Sequence, residues 1–154
     1  MAIAVGLGLL LMATGCQLTS QRGYTLDRLR QEPAVLVSYP ASVKLRHEEI
    51  APRSESVDGL SYGPKIQDIF ASTSPDDAVE EFYVRKMESL GWNFLGESST
   101  DLYTHKRLLF SKNGLTAEVQ FWRKEPFLRT YPSLSNQVEP YPTVYRVFIL
   151  APAN

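Results

Sequence analysis

Few side chains in this sequence are of the types that usually carry catalysis or bind metal ions. The 154 residues include one cysteine, Cys16, and two histidines, His47 and His105. His47 is followed by Glu48 and Glu49, so a metal site made of an imidazole and carboxylates is one chemistry to consider. Neighbouring side chains of a strand point to opposite faces, and only His47 and Glu49 would share one. Two ligands do not make a site, and the sequence predicts no bound metal and no cofactor.

Four carboxylates crowd a short stretch after residue 75, and two explanations fit them. They belong to Asp76, Asp77, Glu80 and Glu81. They could serve general acid–base catalysis or bind a cation. They also fall in the first turns of a predicted helix, where negative charge complements the helix dipole, and we favour this explanation. Because the sequence also has no nucleophile elbow and no glycine-rich phosphate loop, it predicts a protein that is not an enzyme.

A further set of candidate residues is aromatic and surrounds a proline-containing stretch near the end of the chain. It consists of Trp122, Phe127, Tyr131 and Tyr141. Exposed aromatic side chains are enriched where proteins bind other molecules, so these four could form a surface for a peptide, a glycan or a partner protein. The alternative is that they cover one end of a sheet.

The charge balance excludes one class of partner. The chain has 16 basic and 17 acidic residues, and its formal net charge is −1. Proteins that bind nucleic acids usually carry a basic stripe and have a high isoelectric point. We therefore expect no nucleic-acid partner.

The first fifteen residues are typical of an export signal. Residues 2–12 form a continuous apolar run, AIAVGLGLLLM, which has the length of a signal-peptide core. The run is too short to span a bilayer, because that takes about 20 apolar residues. The small residues Ala13, Thr14 and Gly15 follow it and lead directly to Cys16. Together with Leu11, this pattern resembles the lipobox of bacterial lipoproteins.

The resemblance implies that a diacylglycerol is attached to the thiol of Cys16 and that a signal peptidase removes residues 1–15. An acylated Cys16 would then be the N-terminus, and two or more acyl chains hold a protein firmly to a membrane. The alternatives are an ordinary cleaved secretory peptide and a short buried helix with an incidental cysteine. Gln17 follows the cysteine instead of Asp, which in Gram-negative lipoproteins favours the outer membrane. The resemblance thus implies a lipid-anchored protein that faces the periplasm.

The composition predicts a tether over residues 16–33, with a short helix at 24–31, and a single domain over 34–154. Residues 34–39 (AVLVSY) are predicted to form a strand that ends at Pro40. Residues 43–50 alternate between apolar and charged side chains, which predicts a half-buried strand. Residues 51–65 predict an exposed loop, and residues 66–73 another strand.

Residues 75–90 predict an amphipathic helix. Ser74 is expected to cap it and Pro75 to occupy its first position. Gly91 is expected to end the helix, with Trp92 packing back on Met87. The apolar stripe at helical spacing consists of Val79, Phe82, Tyr83, Met87 and Leu90.

The second half of the chain predicts three more strands and a long loop. Residues 93–97 form a predicted strand, and Asn113-Gly114 suits a type I′ turn between strands at 105–110 and 115–123. That turn fixes the register, which is Phe110 opposite Ala117, Leu108 opposite Val119, Arg107 opposite Gln120 and His105 opposite Trp122. Residues 125–141, with three prolines, predict a loop, and residues 143–150 (TVYRVFIL) predict a strand in the middle of the sheet.

This order of elements predicts an α+β fold in which one main helix packs on one face of a mostly antiparallel sheet, in two layers. Residues 38–92 also resemble small, mostly uncharacterised envelope lipoproteins of bacteria. The shared motifs concern the fold and not an active site. They are Tyr39-Pro40, Ser74-Pro75-Asp76, Phe82-Tyr83 and Gly91-Trp92.

Three functions stay open at this point. The leading hypothesis is a lipid-anchored envelope protein that acts as a non-enzymatic binding or assembly module, with an envelope protein or peptidoglycan as its partner. The first alternative is a small periplasmic hydrolase or a glycan- or lipid-binding domain, which predicts a pocket near His105 and Trp122 on the outer sheet face. The second alternative is a purely structural spacer between membrane and wall.

Overall fold

A computed structural model describes residues 24–52, 63–98 and 101–153 of the chain. The predicted signal peptide, the lipidation residue Cys16 and most of the predicted loop at 51–65 lie outside these residues. Within the described ranges, no helix has the length and the hydropathy needed to span a bilayer.

Six antiparallel strands of the described residues form one sheet in the spatial order β1-β2-β6-β5-β4-β3. The last strand along the chain lies between the second and the fifth, as predicted from its apolar side chains on both faces. The first and third strands lie at the two edges of the sheet. The bounds are β1 Ser42–Ile50, β2 Lys65–Ser72, β3 Asn93–Ser98, β4 Thr104–Lys112, β5 Leu115–Trp122 and β6 Thr143–Leu150.

The longest described helix, α2, spans Asp76–Ser89 and packs on one face of the sheet. Its predicted end is confirmed: Gly91 has φ +80°, its N–H donates to the Glu88 carbonyl, and the Trp92 N–H donates to the Met87 carbonyl. These two hydrogen bonds form a Schellman motif. The predicted cap is wrong, because the Ser74 hydroxyl makes no bond to the helix and instead accepts from the Tyr39 hydroxyl at 3.1 Å.

Three shorter helices accompany α2 in the described ranges: α1 Leu26–Arg30, α3 Lys124–Thr130 and α4 Ser135–Val138. Side chains of α1 and α2 share one apolar cluster with alternate residues of β2 and β6, whereas α3 and α4 share a second cluster with the intervening residues. Because alternate residues of a strand point to opposite faces, helices cover both faces of the sheet, not the one face predicted. Leu29 of α1 is fully buried, so the folded unit includes residues that the composition assigns to the tether.

Two segments differ from their predicted structure. Residues 34–39 are not a strand, because Pro33–Leu36 forms a 3₁₀ turn that buries Ala34. The proline fixes a backbone angle that suits the first position of a helical turn. Residues 125–141 are not an irregular loop, because they contain α3, a 3₁₀ turn and α4. Their prolines stand at positions that helices tolerate: Pro126 in the first turn of α3, Pro132 at the start of the 3₁₀ turn, and Pro140 after α4.

The β4–β5 hairpin confirms the predicted register over most of its length. Asn113 and Gly114 have φ values of +50° and +82°, as a type I′ turn requires, and Leu108 lies opposite Val119. The prediction fails at His105, because a bulge between Thr104 and Lys106 leaves this residue without a partner on β5. A comparable irregularity between Lys44 and Arg46 interrupts the predicted alternation of β1, which lies at an edge and is mostly exposed.

Candidate functional site

The aromatic residues considered as a binding surface mostly lie inside the protein. Phe127 has no exposed surface and Trp122 exposes only 9% of its own, so the interpretation of these two as exposed binding residues is wrong. The rings meet edge to face with centroids 5.8 Å apart. Tyr131 and Tyr141 are partly buried and pack against the same cluster. The four side chains therefore cover one end of the sheet, because α3 and the turns after it fold back over the strands.

His105 does not lie opposite Trp122, as one alternative function required, because Thr104 takes that position in the hairpin. The bulge turns its imidazole toward the start of α2, where Nε2 lies 2.5 Å from Oδ2 of Asp76. The other carboxylate oxygen accepts from the Thr143 hydroxyl at 2.6 Å. Because this hydroxyl donates to the carboxylate and not to the imidazole, His105 is not placed to deprotonate it. The cluster instead ties the start of α2 to β4 and β6.

His47 belongs to a network of charges at the β1 edge. Its Nδ1 lies 2.7 Å from Oδ1 of Asp68, a buried carboxylate whose other oxygen lies 2.7 Å from the Lys44 ammonium. His47 and Glu49 lie on the same face, as predicted. The Arg30 guanidinium binds Glu49 and lowers the pKa of that carboxyl to about 2. Within the described part of the chain, no three potential ligands gather to hold a metal ion.

The carboxylates of α2 lie beside an open groove of about 650 Å³ between this helix and the strands β3 and β4. The floor of the groove is apolar, and it is formed by Val84 of α2 and Phe94 of β3. The Phe94 ring rests on Phe110, with the two centroids 5.2 Å apart, so the floor is continuous with the core. The charged lining residues are Asp77, Glu80, Glu81, Arg85, Glu97 and Lys106.

The lining of the groove has four carboxylates and two cations. Lys106 lies 2.5 Å from Glu80 and 3.2 Å from Asp77, and the Glu80 carboxylate is the main cause that raises the pKa of Lys106. Glu81 forms only an exposed pair with Arg85, at 3.3 Å, which adds little stability. Glu97 is exposed and forms no ion pair with another described residue. The groove therefore carries an excess of negative charge, concentrated at Glu81 and Glu97.

Sequence reasoning identified these carboxylates on α2 but missed the groove. The helix dipole explains why carboxylates lie near the start of α2, but it does not predict which strand residues face them. Glu97, Phe94 and Lys106 come from two strands, and only strand pairing brings them beside the helix. Regular alternation along β3 would place Phe94 and Glu97 on opposite faces, and the bulge between Phe94 and Gly96 lets both line the groove, so the sequence pattern gave no signal for it.

Comparisons with protein-family models, with curated proteins and with solved structures give no match to this chain.

Proposed function

We propose that this chain is a lipid-anchored protein of the cell envelope whose folded part binds a partner molecule and does not transform it. The anchor rests on the apolar run at 2–12 and on Ala13-Thr14-Gly15-Cys16 at its end. Acylation at Cys16 supplies the membrane attachment, since each buried methylene contributes about 0.8 kcal/mol. Gln17 favours the outer membrane in a cell that has two.

The groove beside α2 is the observation that supports binding. It combines an apolar floor, which can bury apolar surface of a partner, with charged walls, which can select the charge of that partner. Lys106 is paired with Glu80 and Asp77, and Glu81 and Glu97 leave the lining with an excess of negative charge, which suits recognition of a positively charged partner. The partner in this proposal is another component of the envelope, either a protein or peptidoglycan.

Intact-mass analysis of the full chain, isolated from the membrane fraction of a bacterial host, tests the anchor. The expected mature species begins at Cys16 and carries the mass of a diacylglycerol, with or without a further acyl chain. The Cys16→Ala variant should lack this species and should leave the membrane fraction or stay unprocessed. Ser20→Ala lies just past the cleavage point and should be processed and lipidated like the parent chain.

An unmodified Cys16 in a soluble fraction would overturn the anchor. Cleavage at another residue without added lipid would point to the ordinary secretory peptide instead.

A further inference from the structure

The groove beside α2 lies along an edge of the sheet. Among the described strands, β3 pairs with β4 only, so the outward N–H and C=O groups of its other side have no ladder partner there. Such an edge is a template for an additional strand. The groove lining includes Phe94 and Glu97, so an added strand would lie next to the groove.

The two edges of the sheet differ in how well they would accept a strand. Natural edges avoid unwanted pairing by carrying charged side chains. β1 has five ionisable side chains in its nine residues, and several of them pair with one another or with β2. β3 has one, Glu97, in its six residues, and its Leu95 side chain is 61% exposed. Each edge strand has one bulge, between Lys44 and Arg46 in β1 and between Phe94 and Gly96 in β3, so charge is what distinguishes them, and by charge the β3 edge is the less protected of the two.

The negative charge of the groove favours an added strand that carries basic side chains. Alternate side chains of an added strand would point toward α2, where Val84 and Phe94 form the floor and carboxylates form the walls. Asp77 and Glu80 are already paired with Lys106, and Glu81 has only an exposed pair with Arg85. Glu81 and Glu97 are therefore the carboxylates whose negative charge a bound segment would neutralise most. A segment with basic residues at alternate positions is complementary to both.

We propose that this groove binds an extended segment of a partner protein, which adds to the sheet beside β3 and directs Lys or Arg side chains to Glu81 and Glu97. Hydrogen bonds to the backbone of β3 supply affinity, and the carboxylates select the sequence, as in other cases of strand addition. This inference rests on the proposed binding function, and it narrows the partner from any envelope component to a protein with a basic, extended segment.

Selection from a library of random twelve-residue peptides, displayed on phage, tests the proposal on the full chain in detergent micelles. We expect the enriched peptides to carry Lys or Arg at alternate positions. The affinity of a synthetic copy should fall about fivefold or more with Glu97→Lys, because a favourable charge pair is replaced by a repulsive one. Glu81→Lys should act in the same direction. Glu88→Lys, the same change at an exposed position of α2 that does not line the groove, should leave the affinity unchanged.

The contribution of the backbone is measured with the same synthetic peptide. Methylation of the amide nitrogens that face β3 should abolish binding, whereas methylation of those that face away should have little effect. Circular dichroism of each protein variant establishes that it is folded, and Glu97→Gln, which removes the charge without reversing it, serves if Glu97→Lys unfolds.

Three results would overturn the inference: no enrichment over a blank support, enriched peptides without alternate basic residues, or affinities that Glu97→Lys, Glu97→Gln and Glu81→Lys do not change. Failure of the proposed anchor has a separate signature, since it appears in the mass of the mature chain and not in peptide binding. A chain that is lipidated but selects no peptide would keep the anchor and favour the spacer function.

Discussion

Truncation of Phe127 to alanine tests whether the segment after β5 is part of the core or a loop with binding side chains. Phe127 has no exposed surface and contacts the rings of Trp122 and Tyr131, with centroid distances of 5.8 and 5.0 Å. Removing a fully buried phenylalanine costs about 3–5 kcal/mol, because apolar burial is lost and a cavity stays behind. A side chain on an exposed loop would change the free energy of unfolding by less than about 0.5 kcal/mol.

Urea unfolding of the full chain, followed by far-ultraviolet circular dichroism, measures this free energy. With a slope of about 1–3 kcal/mol per molar urea, the expected loss lowers the midpoint by roughly 2 M. Two substitutions of identical chemistry provide the control: Leu134→Ala removes a side chain that is 7% exposed, and Leu102→Ala one that is 81% exposed. We expect about 2–5 kcal/mol for the first and almost none for the second.

The reasoning is refuted if Phe127→Ala and Leu134→Ala both unfold at the urea concentration of Leu102→Ala. That result would return residues 125–141 to the exposed loop that the sequence predicts, and it would reopen the aromatic side chains as a binding surface. If Phe127→Ala does not fold at all, the Leu134 and Leu102 variants still decide the question.

Two further predictions concern single residues. Gly114→Ala should destabilise the hairpin by about 1–2 kcal/mol, because φ is +82° and an added Cβ meets no atom within 4 Å, so the cost is that of the left-handed backbone alone. Gly114→Asn should cost less, because asparagine tolerates this conformation. Equal thermal unfolding temperatures of the parent chain and the alanine variant would contradict the turn geometry. Arg30 lowers the pKa of Glu49 from 4.5 to about 2 in the folded chain, so the stabilisation by this pair is present above pH 4.5 and is lost as the pH falls toward 2. Glu49→Gln should therefore be less stable than the parent chain at pH 7 and equally stable near pH 2 in urea titrations, and a difference that does not change with pH would exclude the ion pair as its source.

Sequence reasoning succeeded where a few adjacent residues determine the local geometry. Gly91 and Trp92 supply the backbone conformation and the apolar contact of a Schellman motif, so the end of α2 could be predicted to the residue. Asn113-Gly114 suits one type of turn, and that turn imposes the register of the β4–β5 hairpin near it. The apolar side chains on both faces of β6 required a central position in the sheet. These elements were sufficient for the α+β class.

Tertiary contacts decided the elements whose local signals were ambiguous. The segment at 34–39 has the composition of a strand, but Pro33–Leu36 forms a 3₁₀ turn in which Ala34 is buried against the core and Leu36 is exposed. Prolines in 125–141 predicted a loop, whereas an apolar face of the sheet was available for α3 and α4 to cover. His105 lies in a bulge outside the hairpin register, and its imidazole contacts Asp76, 29 residues earlier in the chain.

By itself, the sequence determined the end of α2, the hairpin turn and the central strand, and it predicts the export and lipidation signal. Each of these features depends on residues that are close together in the chain, because their backbone preferences and spacing determine the local conformation. Only the tertiary structure decided that Phe127 is buried, that helices cover both faces of the sheet, and that the carboxylates of α2 line a groove at the β3 edge. These features depend on which distant segments meet, and that is decided by the burial of apolar surface over the whole fold, which no single stretch of sequence contains.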